Sequence, residues 1–245
     1  MTAPLFLVPE LPTGSSFVLD GPEGRHAAGV RRLGPGEALV LADGRGGAAA
    51  CVVESVEGRT ALTVSVSRRW LEPEPAPRVV LAQALVKGDR GELAVELATE
   101  CGVDAVVPWR AERCVARWED GPRGEKALAR WRSTAREAAK QSRRARVPEV
   151  AEPVTTAGLA ALVGEAACAL LLDSRAPVGL AGISLPEQGD VVIVVGPEGG
   201  VSDRETDALV AAGARLVKLG PTVLRASTAG AAATAALGVL TPRWR

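Results

Sequence analysis

The sequence predicts an α/β protein, with a small N-terminal β-barrel followed by a larger domain built on a largely parallel sheet. Residues 1 to about 70 contain only short β-patterned segments separated by turns. Beyond residue 77, apolar strands alternate with helical stripes, which is typical of a parallel sheet. The chain has 245 residues, 47% of them hydrophobic, and this suffices for two modest domains with ordinary cores.

Five strands are predicted in the first domain. Turn chemistry separates them, as in Gly34-Pro35-Gly36 and Asp43-Gly44, and they fall at residues 5–8, 16–19, 37–42, 49–55 and 61–67. We place this domain at residues 1–71. The stretch 72–77 (EPEPAP) is rich in proline and predicts a stiff linker.

The second domain is predicted at residues 78–245. A strand at 79–86 precedes a helix at 90–101, where apolar residues fall on one helical face and Gly102 follows as a C-terminal cap. A strand at 103–107 and a long polar helix at 122–144 come next. Further strands are predicted at 167–172, 191–195 and 216–219, before an alanine-rich helix that runs from 226 to about 240.

The segment 191–204 (VVIVVGPEGGVSDR) predicts a ligand site. A buried strand opens through glycines onto a helix, with Ser202 as its N-cap and Glu205 as the capping-box partner. Such a loop builds sites at the carboxyl ends of parallel strands. The loop lacks the Lys and Ser/Thr of a P-loop, and Glu198 replaces the second glycine of a dinucleotide fingerprint. A carboxylate suits hydroxyls or amines better than phosphate, and a plain strand–turn–helix joint is the alternative.

A second loop repeats this design about twenty residues later. In the segment 217–229 (VKLGPTVLRASTA), a short apolar strand ends in Gly220-Pro221 before the last helix. Two neighbouring strand ends with Gly-Pro loops predict one pocket built from both.

These residues resemble a known family. VVGPEGG with a following S-x-x-E, together with LGPTVLR-x-x-T-A, resembles the RsmE-type 16S rRNA uridine-N3 methyltransferases, which belong to the trefoil-knot (SPOUT) class. Residues 84–114, 136–150 and 26–44 are similar to further blocks of that family, so the likeness covers nearly the whole chain in order. One departure is Ser227, where the family often has glutamate.

The resemblance implies a PUA-like RNA-binding N-terminal domain, a knotted methyltransferase domain, S-adenosylmethionine as cofactor and a homodimer. For such a reaction, the chemistry of the acceptor predicts a guanidinium that stabilises charge on the uracil oxygens, and Arg225 is the candidate, with a salt bridge at the helix start as the alternative. Glu198 is the nearest candidate base in the sequence, and binding of the cofactor alone is its alternative role. The residues that the resemblance implies for the cofactor lie in three loops: Leu172, Gly196, Pro197, Glu198, Gly199, Gly200, Leu219, Gly220 and Leu224.

Charge distribution also favours an RNA partner. The net charge of the chain is zero, but residues 113–146 contain eleven Lys/Arg and only four acidic residues. A one-signed basic stripe is typical of a nucleic-acid face, whereas a solvated helix is the plainer alternative. We expect contacts to 16S rRNA of the small ribosomal subunit, mostly through phosphates, from Arg31, Arg32, Lys140, Arg143, Arg144 and Arg146.

Other classes of protein are disfavoured. No apolar run is long enough for a membrane span, and the N-terminus lacks the basic region of a signal peptide. The four cysteines form no C-x-x-C and there is one histidine, so no bound metal is expected and a cytoplasmic location is predicted. Two alternative functions remain open: ribose 2′-O methylation by the same knot class, and a non-catalytic role in ribosome assembly.

Overall fold

The computed structural model describes residues 3–244, and its contacts divide the chain into two compact units. The first unit contains the chain up to Glu74 together with Ala139–Val147, and the second contains Pro75–Ala138 and Pro148–Arg245. The break at Glu74 falls inside the stretch predicted as a linker. The return of residues 139–147 to the first unit is not in the predicted division of the chain.

The first unit is a five-stranded sheet in the order β1-β3-β4-β5-β2. Its strands are β1 (Leu5–Leu7), β2 (Ser16–Leu19), β3 (Ala38–Ala42), β4 (Gly47–Glu57) and β5 (Ala61–Leu71). Strand β1 pairs in parallel with β3, and the other pairs are antiparallel. Buried side chains alternate along the strands and form a core around Phe6, Leu39, Leu41 and Leu62.

The first unit also contains helical structure that the sequence analysis missed. Helix α1 (Gly21–Arg25) leads directly into a π-helical turn at His26–Val30. The composition of this stretch, rich in glycine and with Pro22, is that of a turn. Packing decides its structure instead, because Ala27 and Ala28 are buried, and a Cβ on Gly24 would lie 2.6 Å from the carbonyl oxygen of Thr60.

Residues 139–147 complete the first unit. Ala145 is buried against Leu5, Leu7 and neighbouring side chains. Its carbonyl accepts a hydrogen bond from Gly46 N–H (3.1 Å), and Val147 N–H donates to the carbonyl of Gly44 (2.9 Å).

The second unit is built on a six-stranded sheet in the order β11-β9-β10-β6-β7-β8, in which every pairing is parallel. Its strands are β6 (Arg78–Ala84), β7 (Ala105–Trp109), β8 (Glu149–Val150), β9 (Cys168–Leu172), β10 (Asp190–Val195) and β11 (Arg215–Val217). The prediction of a largely parallel sheet is therefore confirmed. Strands β6 and β10 lie at the centre, and their apolar runs are buried on both faces.

The helices of this part of the chain are α2 (Arg90–Glu100), α3 (Pro122–Gln141), α4 (Thr156–Glu165), α5 (Asp203–Ala211) and α6 (Ala226–Leu240). Helix α5 begins with the predicted capping box: the Ser202 side chain accepts from Glu205 N–H, and the Glu205 side chain accepts from Ser202 N–H. Helix α4 and strand β8 were not predicted. No helix among residues 3–244 is long and apolar enough to cross a membrane.

Candidate active site

The carboxyl ends of three adjacent parallel strands form a pocket in the second unit. Strands β9, β10 and β11 end at Leu172, Val195 and Val217, and the loops that follow them enclose about 570 Å³. This volume lies in the range of small-molecule sites, roughly 300–1,000 Å³. All ten residues predicted as cofactor-binding or catalytic line this one pocket: Leu172, Gly196, Pro197, Glu198, Gly199, Gly200, Leu219, Gly220, Leu224 and Arg225.

The protein itself disfavours a side chain at each of the three glycines of the loop at 196–200. Gly200 has a φ of +72°, which a side chain would strain. A Cβ on Gly196 would lie 2.6 Å from a methyl group of Val201, and one on Gly199 would lie 3.2 Å from the Cβ of Arg113. At Gly199, therefore, it is Arg113 that occupies the space next to the backbone.

Gly220 differs from these three glycines. A Cβ at this position would meet no protein atom within 4 Å, and its φ lies outside the left-handed region. The fold therefore does not require glycine here, and the open space belongs to the pocket.

Glu205 ties the start of α5 to two other segments. Glu205 is 3% exposed, and its carboxylate accepts hydrogen bonds from Glu112 N–H (2.9 Å), the Thr156 hydroxyl (2.8 Å) and Ser202 N–H (3.2 Å). The Ser202 hydroxyl lies 3.1 Å from this carboxylate as well. Burial alone would raise the pKa of Glu205, but these hydrogen bonds outweigh it and hold the pKa below its ordinary value. The network fixes the loop after β7, the start of α4 and the start of α5, which directly follows the loop at 196–200.

The loop after β9 contributes a carboxylate to the pocket. Asp173 accepts hydrogen bonds from the Arg175 guanidinium (2.9 Å) and from the Arg175 backbone N–H (2.7 Å). The side-chain hydrogen bond is the main cause of the lowered pKa of Asp173. Asp173 is therefore a fixed anion that can accept hydrogen bonds from hydroxyls or amines.

The loop after β11 leads to Arg225, the N-cap residue of α6. The carbonyl of Arg225 accepts from Thr228 N–H and Ala229 N–H, both at 3.0 Å, so its backbone is fixed. Its side chain is exposed in the pocket and forms no ion pair within the described residues. Ser227 is buried and also lines the pocket.

Glu198 projects from the loop at 196–200 and is exposed. One of its carboxylate oxygens lies 3.4 Å from the backbone N–H of Lys87, which belongs to the loop after β6. Two further arginines, Arg90 and Arg113, line the same pocket and were missed by the sequence analysis. They lie about a hundred residues before the glycine loop, so no local spacing connects them to it.

The residues predicted to contact RNA differ in exposure. Arg31, Arg32 and Arg143 are exposed, and Arg144 is partly exposed. Lys140, by contrast, forms an ion pair of 2.9 Å with Glu23, in which the side chains are 9% and 15% exposed. This pair takes up the charge of Lys140, so we correct the prediction that it contacts phosphate.

Arg146 also has a structural role. Its guanidinium lies against Gly46 and donates to the carbonyl of Glu72 (2.7 Å). The predicted phosphate contact of Arg146 is therefore corrected too, because its guanidinium is held inside the first unit.

Comparison with known proteins identifies the family. A family model described as an RNA methyltransferase domain matches residues 72–238, and a model of an RNA methyltransferase PUA domain matches residues 19–67. The chain belongs to this RNA methyltransferase family. The predicted fold class, a PUA-like β-domain with an α/β methyltransferase domain, is thereby confirmed.

Relatives of the chain within this family are similar over its whole length. The chain is 52% identical to the ribosomal RNA small subunit methyltransferase E of Mycobacterium bovis, over 100% of this chain and 94% of that protein. The same enzyme of Bacillus subtilis is 29% identical, over 96% of this chain and 93% of that protein.

Two solved structures of the family are also similar. A methyltransferase from Legionella pneumophila, determined with bound SAM, has a TM-score of 0.84 and 28% identity, covering 98% of this chain and 99% of that one. The methyltransferase E of Neisseria gonorrhoeae bound to S-adenosyl methionine has a TM-score of 0.83 and 28% identity, covering 98% of each chain.

Among residues 3–244, no group of three or more His, Cys, Asp and Glu side chains is arranged to hold a metal ion. The four cysteines are free.

Proposed function

We propose that the chain methylates N3 of a uridine in 16S rRNA of the small ribosomal subunit, with S-adenosylmethionine as methyl donor. The observation that carries the proposal is the pocket at the ends of β9, β10 and β11, in a chain 52% identical to a small-subunit rRNA methyltransferase over its full length.

The pocket fits the cofactor. Three loops line it, and the open space at Gly220 lets a ligand approach the backbone there closely. Asp173 offers a fixed carboxylate, which suits the hydroxyls and the amine of S-adenosylmethionine. The residues that would hold it are Leu172, Gly196, Pro197, Glu198, Gly199, Gly200, Leu219, Gly220 and Leu224. When bound, this cofactor supplies an electrophilic methyl carbon.

On the acceptor side, the N3 proton of uracil must leave as N3 becomes the nucleophile. Glu198 is the proposed base, because its carboxylate is exposed in the pocket and makes only one long hydrogen bond within the described residues. As the proton leaves, negative charge spreads onto the two carbonyl oxygens of the uracil ring. Arg225, with its backbone fixed and its guanidinium without a carboxylate partner among residues 3–244, is proposed to stabilise that charge.

The RNA around the target is proposed to contact the first unit through arginines that are exposed or, for Arg144, partly exposed. Arg31 and Arg32 follow the π-helical turn, and Arg143 and Arg144 lie in the segment that Lys140 anchors to Glu23. Such cations bind phosphates without reading sequence, so they would position the RNA rather than select it.

A homodimer in the cytoplasm is the proposed working form. Three large apolar residues are exposed at the C-terminal end of the chain, namely Val239 (65%), Leu240 (44%) and Trp244 (54%). Large exposed apolar residues within one short stretch of chain favour a protein interface. Light scattering at micromolar concentration tests this, and a monomer would contradict it.

Nucleoside mass spectrometry of small-subunit rRNA from a deletion strain tests the reaction. We expect loss of one methyl group from a uracil base, and its return when the purified protein and S-adenosylmethionine are added. A methyl group missing from ribose would instead indicate 2′-O methylation. Unchanged rRNA, with no cofactor binding in calorimetry, would indicate the non-catalytic assembly role.

A further inference from the structure

Arg113 differs from the other arginines of the pocket. Arg175 is neutralised by Asp173, whereas Arg90, Arg113 and Arg225 have no carboxylate partner within the described residues. Of these three side chains, only that of Arg113 forms a hydrogen bond with another of the described residues. Its Nη1 donates to the carbonyl of Gly199 at 3.3 Å. Arg113 is therefore an exposed, charged group whose one long hydrogen bond directs it toward the glycine loop, and the residue that it contacts is the direct neighbour of Glu198 in the chain.

The loop that carries Arg113 is held on both sides. Before it, Glu112 N–H donates to the buried carboxylate of Glu205 (2.9 Å); after it, Cys114 is buried and its N–H donates to the carbonyl of Ala111 (3.1 Å). Across from it, Gly199 has no side chain, and a Cβ there would lie 3.4 Å from the carbonyl oxygen of Arg113. A buried carboxylate and a glycine therefore both serve to place this arginine.

Such preorganisation is what stabilisation of developing charge requires. A phosphate contact on the surface tolerates a mobile cation, whereas a group that stabilises a reacting anion is most effective when it is already in place. Uracil that has lost its N3 proton carries negative charge on two carbonyl oxygens, which flank N3. A single guanidinium that spanned both oxygens would lie in front of N3, where the methyl group must arrive, so two separate donors are better placed to serve the two oxygens.

We propose that Arg113 is a second acceptor-side catalytic residue, which donates hydrogen bonds to one uracil carbonyl oxygen while Arg225 serves the other. This rests on the proposed function. In the step, the N3–H bond breaks and its proton passes to Glu198. The N3 electron pair forms the new N–C bond, and the pair of the broken C–S bond remains on sulfur as the sulfonium becomes a neutral thioether.

The test measures single-turnover methylation against pH for Arg113→Gln, Arg113→Lys and a control, Arg204→Gln. Arg204→Gln makes the same change in net charge as Arg113→Gln. Arg204 is exposed on α5 outside the pocket, so its replacement leaves the pocket unchanged. We expect Arg113→Gln to slow methylation by about a hundredfold at neutral pH. Its rate profile should shift to higher pH, because the uracil anion is less stable. Arg113→Lys should recover part of the rate, since it keeps the charge but not the planar fork.

Other charged residues of the pocket can also influence the dependence of the methylation rate on pH. They are Arg90, Asp173, Arg175, Glu198, Lys218 and Arg225. None is changed in these variants. RNA affinity by filter binding should stay within about threefold of wild type, and cofactor affinity by calorimetry should be unchanged.

Two results would overturn the proposal. Weakened RNA binding with a flatter salt dependence and an unshifted pH profile would make Arg113 a phosphate contact. Weakened cofactor binding with an unshifted profile would mean that Arg113 only supports the loop at Gly199. Failure of the proposed function is seen separately, because wild-type enzyme would then methylate no uracil base.

Discussion

The ion pair with Glu23 gives Lys140 a structural role, which distinguishes it from the arginines proposed to bind RNA. We predict that Lys140→Met destabilises the first unit, because it leaves the Glu23 carboxylate, 15% exposed, without the ammonium 2.9 Å away. Removing one partner of a buried pair costs about 3–5 kcal/mol, whereas an exposed pair is worth at most about 1 kcal/mol. With side chains only 9% and 15% exposed, we expect the lower end of the buried range, about 3 kcal/mol.

The assay is urea unfolding followed by circular dichroism, combined with hydrogen exchange of α1 and residues 139–147. A decrease of about 3 kcal/mol is roughly a hundredfold in the unfolding equilibrium. The double variant Glu23→Gln with Lys140→Met should regain much of this stability, because no carboxylate is then buried at this site. In Lys140→Met, hydrogen exchange should be faster than in wild type both in α1 and in residues 139–147.

Lys140→Met and the variants of the neighbouring arginines should differ in their effect on RNA binding. Under conditions where it is folded, Lys140→Met should bind RNA with wild-type affinity. Arg143→Ala with Arg144→Ala should weaken binding, and the salt dependence should flatten by about 0.7–0.9 in log–log slope for each phosphate that is no longer neutralised. The reasoning is refuted if Lys140→Met is as stable as wild type but binds RNA more weakly with a flatter slope, since Lys140 would then be a phosphate contact after all.

Three further predictions concern the second unit and the cysteines. Gly220→Ala places a methyl group in the pocket without touching protein, so we expect at least tenfold weaker cofactor binding by calorimetry with an unchanged melting temperature; Gly164→Ala, at an exposed position of helix α4, is the control, and equal affinities would show that no ligand approaches Gly220. Glu205→Gln should destabilise the protein at neutral pH; because the folded pKa of Glu205 is lowered, this difference should decrease as pH falls through the folded pKa, and a difference that stays constant across urea titrations at successively lower pH would contradict the role of the charge. Burial raises the pKa of Cys51 to about 11, so a thiol reagent at pH 8 should label Cys51 only after unfolding, as mass spectrometry of labelled peptides can show.

The position of the pocket can be predicted from the sequence, but some of the residues that line it cannot. The loops at 196–200 and 219–224 are recognisable because glycine and proline follow apolar strands, and the structure brings them together because parallel strands end at one edge of the sheet. Arg113 has no such local signal. Its place follows from the pairing of β7 in the sheet and from the distant carboxylate of Glu205, and both depend on the tertiary fold.

The same limit explains the corrected RNA residues. A basic stripe is visible in the sequence, but the glutamate that pairs with Lys140 is 117 positions away, at Glu23. Charge counting cannot distinguish a lysine that is solvated from one that is buried against a carboxylate. Helix α1 and the π-helical turn were missed for a related reason, because tertiary packing overrides the turn-like composition of residues 21–30.

The return of residues 139–147 to the first unit has a consequence for biosynthesis. A ribosome that has released only residues up to Glu74 has supplied the five strands but not Ala145, which covers Leu5 and Leu7. The apolar surface of β1 therefore stays uncovered while more than sixty further residues are made, so the N-terminal unit cannot be completed until residues 139–147, which follow most of the first part of the second unit, have been synthesised. No single cut in the gene yields both units whole, and a fragment meant to carry the RNA-binding unit alone must have residues 139–147 grafted onto it.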